Sequence, residues 1–248
     1  MILVISDLHL GKHPEWDDEI LRDLAICVEA NGPETVLFLG DVFDAFIEGS
    51  GNKPDPVVKW VHAVESWIQQ GTHVRYVMGN HDRWHRSLVR DVTGSAPVRD
   101  PILLDFGATR VHLEHGDRAE SHGLLTRVGR WLSDQHLVYR TYAGLLPFGG
   151  AQRLAASVSR RAASFEANPD TISSLEQHAD DVLSSDSVHG VVMGHSHVPT
   201  LISGEHGWYM NTGDWYLGRT FGLIDVEGAK LCRWDGQVTH LLNSVRFE

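Results

Sequence analysis

The chain has 248 residues, 42% of them hydrophobic, which is enough to bury a sizeable core; its 21 basic and 33 acidic side chains leave a formal charge of −12. That balance excludes a protein that grips nucleic acid or an anionic membrane over its whole surface. Cys27 and Cys232 stand in no metal or redox spacing and read as small buried hydrophobes, no apolar run approaches the about 20 residues needed to span a bilayer, and no signal peptide precedes a strand beginning at Ile2, so a cytoplasmic protein is expected.

In chain order, the first half reads as short apolar strands alternating with amphipathic helices. The run Ile2 to Ile5 leads into Ser6-Asp7-Leu8-His9. Ile20, Leu21, Leu24, Ala25 and Val28 recur at helical spacing from Trp16 to Ala30, and Gly32-Pro33 ends that pattern. Val36 to Leu39 leads into Gly40-Asp41-Val42-Phe43-Asp44. A second helix is predicted from Val57 to Gln70, with Trp60 and Trp67 on its core face and Gly71 closing it. Val74 to Met78 then leads into Gly79-Asn80-His81-Asp82. The stretch from Val89 to Pro101 reads as irregular, and Ile102 to Phe106 and Thr109 to Glu114 read as two strands turned at Gly107-Ala108. The second of them ends at His115-Gly116-Asp117.

From about 118 to 169 the alternation breaks, and the pattern predicts a helical insertion in a single domain spanning 1–248. Leu124, Leu125, Val128, Trp131 and Leu132 mark one helix, Leu154, Val158, Ala162 and Phe165 another, with an apolar connector at Leu145 to Phe148. Residues 118–161 hold seven arginines, no lysine and two acids, so this stretch carries +5 and the remainder −17. Arg153 and Arg160, seven residues apart, share a helix face beside the apolar stripe, and Arg161 follows; the mixture suits an anionic ligand with a greasy part. A peripheral contact of the insertion with the inner face of a membrane, through the connector at Leu145 to Phe148, is left open by the sequence.

Val188 to Met193 leads into Gly194-His195-Ser196-His197. The segments that follow, Thr200 to Ser203, Gly207 to Asn211, Thr220 to Val226, Ala229 to Trp234 and Val238 to Leu242, read as antiparallel strands completing a second sheet. The expected architecture is α/β, a two-sheet sandwich.

Five strand ends thus offer Asp, His and Asn, and ligands gathered outside the carboxyl ends of strands are the rule for sites in α/β sheets. Oxygen and nitrogen donors without cysteine suit Mn²⁺, Fe or Zn²⁺ better than Ca²⁺ or a structural zinc. Seven candidate ligands are too many for one ion and suit two ions sharing a carboxylate, an arrangement that clamps both oxygens of an in-line phosphoryl transfer.

An Asp-x-His, a Gly-Asp-x-x-Asp, a Gly-Asn-His-Asp, a later His and a Gly-His-x-His, in this order, resemble the signature of the calcineurin-like metallophosphoesterases. The resemblance implies a four-layer α/β/β/α sandwich of two mixed sheets with a helical cap, and two divalent ions, Mn²⁺ foremost. It implies that Asp7, His9 and His197 hold one ion, that Asn80, His115 and His195 hold the other, and that Asp41 bridges. Water activated between the ions attacks phosphorus, Asn80 and His81 touch the phosphate, His81 protonates the leaving oxygen, and Asp44 orients His81. Asp82 is expected to hold the loop, and the other histidines, His112 and His178 among them, to be surface or packed residues.

Asp44 is followed by Ala45-Phe46 and His81 by Asp82, which departs from the Ser/Thr protein phosphatases of this fold. Ser6 to Gly11, Gly40 to Phe46, His115-Gly116-Asp117 and the Arg-rich insertion look instead like the UDP-2,3-diacylglucosamine pyrophosphatases of lipid A synthesis. A lipid-linked or other small phosphoester is the substrate so implied, bound with the help of Arg153, Arg160 and Arg161. His81 stands where the best-known branch of that subfamily carries Arg. A cyclic-nucleotide or general phosphodiesterase would use the same metals, and a non-catalytic scaffold would be expected to lose ligands; neither a nucleic-acid partner nor an oligomeric state is implied.

Overall fold

Strand β1 (Ile2–Ile5) is apolar throughout because both of its faces are covered: Leu3 and Ile5 enter one core and Val4 another. The structure, a computed structural model, describes residues 1–44, 46, 48, 53–82, 86–119, 168–185 and 187–247. Strands β2 (Thr35–Leu39) and β3 (His73–Val77) repeat the division, with Val36, Phe38, Val74 and Tyr76 on one side and Leu37, Leu39 and Val77 on the other. β1 pairs parallel to β2 and β2 to β3. Parallel neighbours need crossovers, supplied by helices α1 (Asp17–Asn31) and α2 (Asp55–Gln69), whose buried stripes pack on this sheet. Trp60 and Trp67 lie in that core as expected, and α1 ends at Gly32, whose φ of 56° is the left-handed conformation of a helix stop. A third helix, α3 (Arg86–Thr93), replaces the first part of the stretch read as irregular; Leu88 and Val89 are buried against α2 and β3.

A second sheet has the order β4-β5-β6-β8-β7, with β4 (Ile102–Phe106), β5 (Thr109–Leu113), β6 (Gly190–Met193), β7 (Thr200–Gly204) and β8 (Gly207–Asn211). β5, β6 and β8 run parallel, and β4 and β7 are antiparallel edges. Helix α4 (Pro169–Leu183) covers its outer face through Leu175, Ala179 and Leu183, which meet Val191, Met193 and Tyr209. The inner faces of the two sheets meet in a core shared by Val4, Leu37 and Val77 from one and Val111, Leu113, Val192 and Met210 from the other. The result is the expected four layers: α1 to α3, sheet, sheet, α4.

The last three strands correct the expected topology. β9 (Thr220–Ile224), β10 (Gly228–Trp234) and β11 (Thr239–Arg246) extend the first sheet, with β9 antiparallel to β1 in the order β11-β10-β9-β1-β2-β3. All five residues of β9 are buried, and beside β1 both of its faces are covered, Phe221 by the helix-side core and Ile224 by the inter-sheet core. Apart from its flanks at Arg118, Ala119, Asn168 and Pro169, the expected helical insertion, with Arg153, Arg160, Arg161 and the Leu145 to Phe148 connector, lies outside the described residues. No helix among the described residues is long and apolar enough to cross a membrane.

Candidate metal centre

The carboxyl ends of β1, β2, β3, β5 and β6 deliver the candidate ligands to one cleft between the sheets. The chain leaves β1 and β2 still laddered, His9 donating its amide to the Asp41 carbonyl at 3.0 Å, while Gly194 donates to the His115 carbonyl at 3.0 Å and joins β6 to β5. Asp7, His9, Asp41 and His115 are buried, whereas Asn80, His81, His195 and His197 are half-buried. The half-buried candidates thus follow β3 and β6, and the buried ones follow β1, β2 and β5.

Two donor groups form. The side-chain donor atoms of Asp7, His9 and His197 lie within 4.8 Å of one another, as do those of Asp41, His115 and His195; Asp41 also gathers with His9 and His81. Asp41 thus stands between the groups, its Oδ2 3.3 Å from His115 Nε2 and its Oδ1 accepting the His81 amide at 2.9 Å. Asn80, immediately before His81, has its amide oxygen buried.

The backbone is bent to achieve this. Six non-glycine residues among the described ones have φ in the left-handed region, and five are candidate ligands: Asp7 (54°), His9 (44°), Asp41 (54°), His195 (69°) and His197 (60°). Each such residue costs on the order of 1 kcal/mol, and strain of this kind gathers at functional sites. Two glycines allow the close approach. A Cβ on Gly79 would stand 2.1 Å from Asp41 Oδ1, and one on Gly194 would stand 2.6 Å from Asp7 Oδ2.

The donors are arranged for a cation. His115 Nδ1 lies 2.8 Å from the Leu39 carbonyl, which can only accept, so Nδ1 carries a hydrogen and Nε2 is the ring nitrogen that faces Asp41. His9 Nε2 and His197 Nε2 are 3.3 Å apart and both face Asp7 Oδ1, at 3.7 and 3.1 Å. The other oxygen of Asp7 accepts the His195 amide at 3.0 Å, which fixes the carboxylate. Burial opposes charge on His9, but Asp44 and Asp7 outweigh it and push the imidazole up to about 10. Burial likewise opposes charge on His115, and Asp41 outweighs it, holding this imidazole well above the ordinary histidine range. Asp7 and Asp41 resist the upward push of burial and are held low by the imidazoles around them. Two buried carboxylates facing imidazole nitrogens within 4.8 Å are a donor set that fits a divalent ion.

Asp44 and Asp82 act differently from each other. Asp82 Oδ2 accepts the amides of Asp41 (2.6 Å) and Gly79 (3.0 Å), holding the loop as expected. Asp44 does meet His81, but through its backbone: His81 Nδ1 donates to the Asp44 carbonyl at 2.5 Å, and the Asp44 carboxylate faces His9 Nδ1 at 3.5 Å. The expected orienting bond therefore runs through a peptide oxygen, for which no side-chain pattern exists. His81 stands edge-on to His9 at 5.1 Å. His112 and His178, expected to be surface or packed residues, meet at Glu114, 2.9 and 2.6 Å from its Oε1.

The two mixed sheets and this array of Asp, Asn and His define a metal-dependent phosphoesterase: the chain matches the calcineurin-like phosphoesterases over residues 1–199 and belongs to that family. Within it, the chain is similar to the UDP-2,3-diacylglucosamine hydrolase of Pseudomonas fluorescens, 27% identical over 253 residues that cover 97% of this chain and 98% of the relative. The enzyme of that name from Stenotrophomonas maltophilia is 28% identical over 250 residues, covering 92% and 96%. Two solved structures share the fold: the phosphoesterase Yfce from E. coli (TM-score 0.53, 14% identity, covering 100% of this chain and 99% of that one) and a dimetal phosphatase from Danio rerio (TM-score 0.51, 14% identity, covering 100% and 98%).

Proposed function

We propose that the protein hydrolyses a lipid-linked or nucleotide pyrophosphate with two divalent ions, Mn²⁺ foremost and Fe or Zn²⁺ as alternatives. Asp7, His9 and His197 would hold one ion, Asn80, His115 and His195 the other, and Asp41 would bridge. The observation that carries this reading is the pair of donor groups with Asp41 between them. When bound, such ions neutralise phosphoryl oxygens and lower the pKa of water.

The chain's own residues then have defined tasks. Asn80 and His81, both half-buried, bind and orient the phosphate. His81 is the general acid: with Nδ1–H held by the Asp44 carbonyl, only Nε2 can hand a proton to the leaving oxygen. Arg153, Arg160 and Arg161 would bind the anionic, greasy remainder of the substrate, and the insertion would meet the inner face of the membrane where such a substrate resides.

The substrate class rests on the relatives named UDP-2,3-diacylglucosamine hydrolase, which align over nearly the whole chain. A general or cyclic-nucleotide phosphodiesterase is the second reading, favoured by an imidazole at position 81, where the best-known branch of the subfamily it resembles carries Arg. Turnover of UDP-2,3-diacylglucosamine, cAMP and bis(p-nitrophenyl) phosphate with Mn²⁺ decides between them. A kcat/KM highest for the lipid nucleotide supports the first reading, and one highest for cAMP or the chromogenic diester supports the second. No turnover of any ester with Mn²⁺, Fe²⁺ or Zn²⁺ overturns both.

A further inference from the structure

Strand β5 has one apolar face and one polar face. Val111 and Leu113 point into the core between the sheets, so by the two-residue alternation of a strand His112 and Glu114 point the other way, toward α4. There His178 comes down from the helix beside the buried stripe of Leu175, Ala179 and Leu183. His112 Nε2 and His178 Nε2 approach the same atom, Glu114 Oε1, at 2.9 and 2.6 Å, and all three donor atoms lie within 4.8 Å of one another. Glu114 is buried.

We infer that His112, Glu114 and His178 form a further cation site, for Zn²⁺, that pins helix α4 to strand β5 on the side of the strand away from His115. The site is separate from the centre proposed above and uses none of its residues. Two imidazoles and one carboxylate are a donor set that four-coordinate zinc accepts, with water completing the shell, whereas Mg²⁺ and Ca²⁺ favour all-oxygen shells. Zinc–nitrogen and zinc–oxygen bonds of about 2.0–2.2 Å place tetrahedral donors about 3.4 Å apart, so each approach to Glu114 needs to open by less than about 1 Å. His178 is about one-third exposed, which gives an ion a way in. Asp181, three residues further along α4, adds negative charge beside His178 and accepts a hydrogen bond from Gln177 at 3.0 Å. α4 follows the insertion directly in sequence, and Glu114 immediately precedes the candidate ligand His115. A zinc here would fix the root of the insertion against the wall of the cleft.

The test is zinc stoichiometry. The full chain, stripped with chelator and dialysed against buffered Zn²⁺, is compared with H178A and with H178Q; glutamine keeps a hydrogen bond to Glu114 and is a good helix former, so it serves if the alanine variant does not fold. The expected result is one zinc per chain fewer in either folded variant than in the wild type. Loading with Co²⁺ instead should give the wild type an intense four-coordinate visible absorption that H178Q lacks. Equal zinc content in wild type and variant, or identical cobalt spectra, overturns the site and leaves the three side chains a hydrogen-bonded cluster.

Discussion

Asp44 places two different atoms on two imidazoles: its carbonyl accepts from His81 Nδ1 and its carboxylate faces His9 Nδ1. A carboxylate behind a metal-ligating histidine fixes the ring, and its loss typically weakens metal binding about 10–100-fold. Asp44→Ala is therefore expected to lower metal affinity by that factor in a chelator competition, while the peptide oxygen still anchors His81. H81A should do the reverse, lowering kcat by about 10²–10⁴-fold with metal content unchanged. Loss of metal in H81A would make His81 a ligand instead of an acid. Gly79 is a sharper probe, because a methyl there meets Asp41 Oδ1 at 2.1 Å and the Asp41 amide nitrogen at 2.7 Å. Displacing a reacting group by 1 Å can cost about 10²-fold. Gly79→Ala should lose at least that much activity together with bound metal while its circular dichroism stays unchanged. The candidate ligands could be read from sequence because each follows an apolar run and a sharp turn. The Asp44 carbonyl could not, since every residue carries one.

At the scale of elements, what sequence periodicity could show was local. α1 and α2 start and stop within about two residues of their expected ends, and the hairpin of β4 and β5 falls where Gly107 turns it. α4 has local start signals, since Asn168 accepts the Asp170 amide as an N-cap and Pro169 opens the helix, but only Leu175, Ala179 and Leu183 form its buried stripe, too sparse a pattern to mark a helix by periodicity. The placement of β9 beside β1 joins Ile2 to Ile224, a pairing across nearly the whole chain that no window of sequence contains. His112, Glu114 and His178 escaped for the same reason, being 64 residues apart at their widest bond.

The cluster these three form sets a pH dependence for the metal-free protein. Burial would raise the Glu114 carboxyl, but the hydrogen bonds from His112 and His178 prevail and hold it at about 2, below its ordinary 4.5. A depressed carboxyl stabilises the fold above its unfolded value, and the contribution is lost as pH falls from 4.5 toward 2; its upper bound is about 3 kcal/mol. His178 is raised above 6.5, chiefly by its bond to Glu114, so its contribution is complete below 6.5 and is lost as pH climbs through the folded-state value. Urea unfolding in EDTA should therefore show the wild type exceeding Glu114→Gln most between about pH 4.5 and 6.5, with the gap closing on the acid side. A difference that does not vary with pH would mean that the cluster is not ionised.

For the whole molecule, charge is segregated: residues 118–161 carry +5 and the rest of the chain −17. A strongly acidic body repels a nucleotide or phosphate ligand over most of its surface, so attraction must come from a local source. Among the described residues, the cleft ends in carboxylates, imidazoles and an amide. Two cations there would neutralise the phosphoryl group under attack but not a second phosphate or the remainder of a large anionic substrate. The arginines of the insertion begin directly after His115-Gly116-Asp117 and give that stretch its positive charge. If they bind that remainder, their energy is withheld from any ester too small to reach them. Each charge-assisted hydrogen bond lost is worth about 1.5–3 kcal/mol. Replacing Arg153 and Arg160 together with alanine should therefore raise KM for UDP-2,3-diacylglucosamine at least about 10-fold, while KM for bis(p-nitrophenyl) phosphate stays within about 2-fold. Steady-state kinetics on the two substrates check this, and equal changes in both would show that the arginines support the fold and do not select the substrate.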